Sequence, residues 1–140
     1  MQEKIAPLAE LPQFEQLFAV LKNPVLGVLV GAIFTAIIQS SAASIGILQA
    51  LSVSGAITFA SAFPIIMGTN IGTCATPLIS SIGASKNAKR AAMIHFYFNL
   101  IGTIIFLIGV YIIQYTIGLP FWNKSFTTGS IANFHTIFNV

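Results

Sequence analysis

Two long runs without a charged residue constrain this chain more than any other feature. No Asp, Glu, Lys or Arg occurs at residues 23–85 or at residues 91–123. A membrane-spanning helix needs about 20 mostly apolar residues, so the first run is long enough for about two or three crossings and the second for about one. Only 6% of the residues are charged and 56% are hydrophobic, whereas a soluble domain carries about a quarter charged residues. The sequence therefore predicts an all-α integral membrane protein.

The first 22 residues differ in character from the rest. They contain all three acidic residues and two of the six prolines. Four apolar side chains recur there at the spacing of a short surface helix: Phe14, Leu17, Phe18 and Leu21. We therefore divide the chain into an interfacial N-terminal segment, residues 1–22, and a membrane unit, residues 23–140.

Two successive apolar segments of the membrane unit are each interrupted by small polar residues. The first starts at Asn23-Pro24, a helix-start signal, and reaches about Ser52, with Gln-Ser-Ser-Ala-Ala-Ser at residues 39–44 in its middle. The second covers about residues 57–82, and its Gly-Thr-Asn-Ile-Gly-Thr run, residues 68–73, predicts a break. Paired interruptions of this kind are typical of transporter helices. We expect both segments to form broken helices, either discontinuous or re-entrant.

The topology follows from the few basic residues. Lys86, Lys89 and Arg90 lie in the loop predicted at residues 83–90, with no acid nearby, so the positive-inside rule places this loop in the cytoplasm. Residues 91–118 predict a clean span, residues 119–130 an external loop, and a further span begins near Ile131. The sequence stops about ten residues into that span, so we interpret the chain as a fragment truncated in its last span.

A short motif occurs twice. Residues 95–100 and 135–140 both read His-x-x-Phe-Asn-aliphatic, and each copy opens a predicted span. Two copies indicate a weak internal repeat.

Gln39-Ser40-Ser41 is the strongest candidate for chemistry. Its amide and two hydroxyls offer both donors and acceptors, and buried in a membrane without partners they would cost several kcal/mol. A ligand or neighbouring helices must satisfy them, and both explanations remain open. For Ser44 and for Gly27-x-x-x-Gly31, helix packing is the favoured explanation.

The second cluster carries hard oxygen ligands suited to a small cation: Thr69, Asn70, Thr73 and Thr76. The helix that resumes after the break would present free N–H groups to an anion, although a packed glycine kink explains the pattern equally well. No carboxylate lies in either cluster, so we hypothesise that a cation and an anion share one neutral pocket and each supplies the charge that the other needs. The same lack of acids, nucleophile pairs and metal-ligand spacing argues against an enzyme, and the scattered basic residues argue against a nucleic-acid partner.

These motifs, in this order and with the Lys-Asn-Ala-Lys-Arg run at residues 86–90, resemble the bacterial branch of the type II sodium/phosphate cotransporter family, across roughly residues 5–140. The family signature is Gln-Ser-Ser-Ser in each of two inverted repeats, and here Ala42 replaces the third serine. The resemblance implies one half of an inverted-repeat transporter that carries sodium and phosphate by alternating access across the plasma membrane.

It further implies a partner repeat, either a second inverted repeat or a second copy of the chain, and a PhoU-like domain. Sodium acts as the coupling ion, and no other cofactor is expected. The candidate residues for phosphate and sodium are Gln39, Ser40, Ser41, Ser44, Thr69, Asn70 and Thr73. The candidate sodium ligands are Gln39, Ser41, Asn70, Thr73 and Thr76.

Two alternatives stay open. A membrane scaffold or assembly subunit would use the same small residues for packing alone. A transporter of another oxyanion would fit equally well, because no feature of the residues distinguishes phosphate from sulfate or arsenate.

Overall fold

The computed structural model describes residues 16, 20–53, 55 and 57–139, and within them the regular structure is helical, apart from one isolated bridge. This part of the chain confirms the predicted all-α class. Six helices lie wholly within it: α1 (Pro24–Ile38), α2 (Ser41–Ser52), α3 (Phe59–Gly72), α4 (Ala75–Ser80), α5 (Lys86–Thr116) and α6 (Thr128–Asn139). Of the predicted surface helix, Leu21 is buried, and Phe14, Leu17 and Phe18 lie outside the described residues.

Helix α1 starts where the sequence predicts. The Asn23 side chain accepts hydrogen bonds from the N–H groups of Val25 (3.0 Å) and Leu26 (3.4 Å), and Pro24 follows at the first helical position. The cap satisfies donors that would otherwise lack a partner at a helix start. The sequence signal was therefore sufficient to place this end.

Helices α1 and α2 form an antiparallel hairpin that turns at Gln39 and Ser40. Just after the turn, Ser44 bonds to Thr35 of α1 (2.9 Å). Further along α2, Gln49 donates to the Thr128 carbonyl (2.9 Å), close to the segment that pairs with the start of α3. Helix α2 therefore returns toward the end from which α1 begins, and the polar residues 39–41 lie at the tip of the hairpin.

Helices α1 and α3 pack side by side in parallel through glycines on both. A Cβ built on Gly27 would lie 2.5 Å from the Pro64 Cβ, and one on Gly72 would lie 2.5 Å from the Ala32 carbonyl oxygen. At Gly31 and Gly68 an added Cβ would overlap backbone atoms of the facing helix. No side chain fits between these backbones, so the packing role favoured for the glycines of α1 is what the structure shows.

The predicted break at residues 68–73 is wrong in position. Helix α3 continues through Pro64 and Gly68 to Gly72, and only Thr73 and Cys74 form a turn before the six-residue helix α4. The two glycines serve close contact with α1, which requires no unwinding. The side chains of Thr69, Asn70 and Thr73 find their hydrogen-bond acceptors on the helix itself.

The basic residues also differ from expectation. Ser85 caps α5 by accepting from the Ala88 N–H (3.3 Å), so Lys86, Lys89 and Arg90 lie in the first turns of a helix and not in a loop. Helix α5 is therefore longer at its start than the predicted span.

Within the described part of the chain, two helical stretches are long and apolar enough to cross a membrane: Phe59–Ser80 (22 residues), which joins α3 and α4, and Lys86–Thr116 (31 residues). The apolar window of the second is only 11% buried within the fold, against 56% for the first. Its many exposed isoleucines would find a suitable solvent in lipid.

Helix α5 runs antiparallel to α3, since Thr103 bonds to the Met67 carbonyl (3.3 Å) and Phe106 contacts the earlier residue Phe63. Around the start of α3 an aromatic cluster surrounds Phe59, with ring centroids 4.9 to 5.4 Å away. Its members are Phe63, Phe121, Trp122, Phe126 and Phe134. The cluster fixes one end of the unit, and the polar residues lie toward the other.

Candidate functional site

Gln39 occupies a strained backbone position at the tip of the hairpin. Its φ of 59° places it in the left-handed region, and among the described residues no other non-glycine residue has positive φ. Its N–H still bonds to the Thr35 carbonyl (2.7 Å), which closes α1. This conformation costs a non-glycine residue about 1–2 kcal/mol. A glutamine where glycine is normally favoured indicates that its side chain has a use.

Ser40 and Ser41 form the start of α2. The Ser40 hydroxyl accepts from the Ala43 N–H (3.2 Å) as the N-cap. Within the described residues the side chains of Gln39 and Ser41 have no hydrogen-bond partner in the fold. Their amide and hydroxyl are thus available to a ligand, next to N–H groups that the first turn of a helix leaves free.

Ser44 is committed to the hairpin itself. It is 3% exposed, donates to the Ser40 carbonyl (3.0 Å) and accepts from the Thr35 hydroxyl (2.9 Å). Both hydrogen bonds lie within the hairpin, which is the geometry of a packing residue.

Thr69, Asn70 and Thr73 lie at the C-terminal end of α3. Thr69 and Asn70 are each 2% exposed and both donate to the Ile66 carbonyl, at 2.7 and 3.2 Å. Thr73, half-buried, donates to the Asn70 carbonyl at 2.5 Å. These bonds use the donors, while each hydroxyl oxygen keeps lone pairs that a cation can share.

Thr76 lies beyond the turn, on α4, and is exposed. The intervening Cys74 is fully buried, with its thiol 3.6 Å from the Asn70 carbonyl oxygen and 3.7 Å from that of His95 on α5. The turn between α3 and α4 is therefore packed against α5.

Thr35 brings the two clusters to the same level of the fold. On one side, the Thr35 hydroxyl donates to the Ser44 hydroxyl. On the other side, Thr35 lies against Gly72, since a Cβ built on Gly72 would be 2.6 Å from the Thr35 Cβ. Among the described residues no hydrogen bond joins the side chains of residues 39–41 directly to those of Asn70 or Thr73. The hairpin tip and the end of α3 are neighbours separated by one buried threonine.

Sequence reasoning missed Thr35, Asn99 and Thr103, which are buried polar residues. Thr35 is the single hydroxyl residue of α1 and lies one helical turn before Gln39, a signal that could have found it. Asn139, noted only as part of the repeated motif, donates to the Asn70 side chain (3.1 Å).

The described site carries no formal charge. Residues 23–85 include no acid or base, and the described part of the chain has no group of three His, Cys, Asp or Glu that could hold a metal. An ion bound at the hairpin tip would meet neutral oxygens, amides and N–H dipoles only.

Comparison with known proteins gives partial matches. Over 64% of its own length, the chain is 39% identical to sodium-dependent phosphate transport protein 2A of Rattus norvegicus. Over 56% of its own length, it is 38% identical to the uncharacterized protein YqeW of Bacillus subtilis (strain 168). It is 28% identical to the putative inorganic phosphate export protein YjbB of Escherichia coli (strain K12) over 83%. These alignments span 15%, 26% and 22% of the respective relatives. No solved structure matches.

The family described as Na+/Pi-cotransporter matches residues 1–127 of the 140, which includes the hairpin tip, the end of α3 and all of α5. This match confirms the resemblance that the polar motifs indicate. The chain therefore belongs to the Na+/Pi-cotransporter family.

Proposed function

We propose that this chain is one half of a sodium-coupled phosphate symporter of the plasma membrane. Family membership supports phosphate transport, and the rat relative is by name sodium-dependent. The observation that carries the proposal is the hairpin tip, where a glutamine in the left-handed conformation and a free serine stand at a helix start.

Phosphate is the ligand that the start of α2 suits. A helix N-terminus combines free N–H groups with a partial positive charge, and both favour an anion. The N–H groups of Ser41 and Ala42 have no acceptor within the helix, whereas that of Ala43 is taken by the Ser40 cap. The Ser41 hydroxyl and the Gln39 amide add further donors beside them.

We assign sodium to neutral oxygen atoms at the hairpin tip, at the end of α3 and on α4. Gln39 and Ser41 supply them from the tip, Asn70 and Thr73 from the end of α3, and Thr76 from α4. Since none of these groups is charged, sodium alone or phosphate alone would bind weakly. Bound together, each ion supplies the charge that the other lacks, and this makes transport of one depend on the other.

The transport cycle we propose is alternating access around this site. The α1–α2 hairpin acts as a re-entrant element, and the turn after α3 acts as the interruption of a second broken helix. An inverted partner repeat, within a longer chain or from a second copy, completes the site. The start of α5, with Lys86, Lys89 and Arg90, faces the cytoplasm, where a PhoU-like domain would also lie.

Direction of transport is a second question, because the Escherichia coli relative is named for export. Proteoliposomes loaded with radiolabelled phosphate would show sodium-dependent efflux if the chain exports, and empty ones would show uptake under an inward sodium gradient if it imports. We expect the gradient to set the direction, as in any coupled carrier.

The decisive experiment compares phosphate uptake with and without an inward sodium gradient in the unaltered protein, Gln39→Ala and Gln49→Ala. Gln49 lies on α2 and bonds to the Thr128 carbonyl, so its variant controls for loss of a glutamine outside the site. We expect sodium-driven uptake that Gln39→Ala abolishes and Gln49→Ala retains.

Sodium-independent uptake, or equal activity of all three proteins, would contradict the proposal. A scaffold would show loss of folding in Gln39→Ala with no uptake by the unaltered protein. Competition by sulfate or arsenate as strong as that by unlabelled phosphate would instead favour another oxyanion.

A further inference from the structure

Asparagines from two other helices converge on the C-terminal end of α3. Asn139 of α6 donates its Nδ2 to the Oδ1 of Asn70 at 3.1 Å. Asn99 of α5 is 6% exposed and donates to the His95 carbonyl (2.9 Å), the oxygen that lies 3.7 Å from the Cys74 thiol. The stretch from residue 70 to residue 74 is therefore contacted directly by Asn139 of α6, and on α5 by the His95 carbonyl to which Asn99 also bonds.

The two asparagines are the equivalent residues of the repeated His-x-x-Phe-Asn motif. Each also donates its Nδ2 to the carbonyl of the histidine four residues earlier, Asn99 to His95 (2.9 Å) and Asn139 to His135 (2.6 Å). This shared bond orients each carboxamide along its own helix, and the Asn139 carboxamide also reaches across to Asn70. The two copies of the motif thus make the same bond within α5 and α6.

The contact from α6 fixes the orientation of the Asn70 carboxamide. Asn70 donates its Nδ2 to the Ile66 carbonyl (3.2 Å) and accepts at Oδ1 from Asn139. A buried amide held at both ends cannot exchange its oxygen and nitrogen positions without losing two hydrogen bonds. One lone pair of Oδ1 remains, and its direction is set by Asn139.

The backbone carbonyl of Asn70 is contacted by the side chains of two later residues. The Asn70 carbonyl accepts from the Thr73 hydroxyl and lies 3.6 Å from the Cys74 thiol, and this thiol also lies 3.7 Å from the His95 carbonyl oxygen. The orientation of Thr73 therefore depends on how firmly the end of α3 is held against α5 and α6.

We propose that Asn139 and Asn99 are positioning residues that hold the end of α3, so that the Asn70 carboxamide oxygen and the Thr73 hydroxyl face sodium. The sodium part of this proposal rests on the proposed function. The holding role itself is a property of three described helices, and it can be measured without transport.

Cys74 provides a native reporter for the experiment. It is the single cysteine of the chain and is fully buried at this turn, so its alkylation by N-ethylmaleimide reports how often the turn opens. The variants are Asn139→Ala, Asn139→Ser and Asn99→Ala, with Asn133→Ala as matched control on α6, where Asn133 is exposed. A serine at position 139 can keep the bond to the His135 carbonyl but cannot reach Asn70.

The protein in proteoliposomes is alkylated over a range of sodium concentrations. We expect sodium to slow alkylation in the unaltered protein and in Asn133→Ala. In Asn139→Ala and Asn139→Ser the sodium concentration for half-maximal protection should rise at least threefold, with the maximal phosphate uptake rate little changed. Asn99→Ala should raise the alkylation rate at all sodium concentrations.

Equal sodium midpoints in both Asn139 variants and in Asn133→Ala would overturn the positioning role, even if alkylation without sodium were faster. If Asn139→Ala fails to fold, the sodium midpoint of Asn139→Ser alone decides whether Asn139 has the positioning role. Failure of the proposed function appears separately, as absence of sodium-driven phosphate uptake in the unaltered protein. Sodium protection of Cys74 with a shifted midpoint would then still support the positioning of a sodium site.

Discussion

At the scale of single residues, the site combines side chains that are free with side chains that are already bonded. Gln39 and Ser41 have no partner among the described residues, whereas Ser44, Thr69 and Asn70 each make bonds within the fold. Loss of a free group should affect binding alone, whereas loss of a bonded group should also affect stability. Substitutions at the two kinds of residue therefore separate function from folding.

Gln39→Gly tests this separation most directly. Glycine adopts the left-handed conformation without the steric cost borne by Gln39, so we expect the melting temperature of the variant to be unchanged or higher. Sodium-driven phosphate uptake should be lost with the carboxamide. Thermal unfolding followed by circular dichroism in detergent, beside uptake in proteoliposomes, measures both, and retained uptake would show that the backbone turn alone suffices.

Thr35→Val should have the opposite effect. Valine keeps the shape of the fully buried Thr35 but removes the hydroxyl that donates to Ser44. We expect a loss of about 1 kcal/mol in the free energy of unfolding, typical of one buried hydrogen bond. Thr116→Val is the control, because the Thr116 hydroxyl bonds at an exposed helix end, and an equal loss there would contradict the assignment.

At the scale of the elements, several features could be predicted from the sequence because they depend on neighbouring residues. The start of α1 follows from Asn23 and Pro24, and the end of α1 at Gln39 follows from the polar run that interrupts an apolar segment. The apolar character of α5 follows from its composition. Local signals of this kind are complete within one or two helical turns.

Other features could not be predicted because they depend on distant residues. Glycine permits both unwinding and close helix packing, and Gly68 and Gly72 serve the second only because α1 lies against them. The contact of Asn139 with Asn70 joins residues far apart in the chain. The sequence shows the type of residue in each case, but not its partner.

Gly31→Ala tests the contact between α1 and α3. The added methyl group would overlap the Ile65 carbonyl of the facing helix, and we expect a loss of about 1–3 kcal/mol, as for other overpacked sites. The matched control is Gly109→Ala on α5, where the added Cβ would have no neighbour within 4 Å. That change should stabilise helix α5 by up to about 1 kcal/mol. Chemical denaturation of both variants measures the difference, and equal stability would refute this packing.

At the scale of the whole molecule, α5 is the longer of the two helical stretches of the described residues that could cross a membrane. Its 31 residues correspond to roughly 45 Å, longer than a hydrocarbon core of about 30 Å. The three basic residues in its first turns fall outside the core on one side. Helix α3 packs against α1, against α5 and against α6.

The orientation can be tested with two matched substitutions, Asn87→Cys at the start of α5 and Asn123→Cys after its end, both at exposed positions. Because the native Cys74 is fully buried, we expect it to contribute only background labelling. We expect a membrane-impermeant maleimide to label Asn87→Cys only from the cytoplasmic side and Asn123→Cys only from outside. Labelling of both from one side would show that α5 does not cross.

The glycine contact between α1 and α3 limits how the molecule can change shape. A Cβ added at Gly31, Gly68 or Gly72 would lie only 2.1 to 2.5 Å from a carbonyl oxygen of the facing helix, so neither helix can slide past the other without a collision of carbonyl groups. A motion that exposes residues 39–41 first to one side of the membrane and then to the other must therefore carry both helices together as one rigid body. The freedom for such a motion lies outside this pair, along α5, whose apolar surface is mostly unburied within the fold.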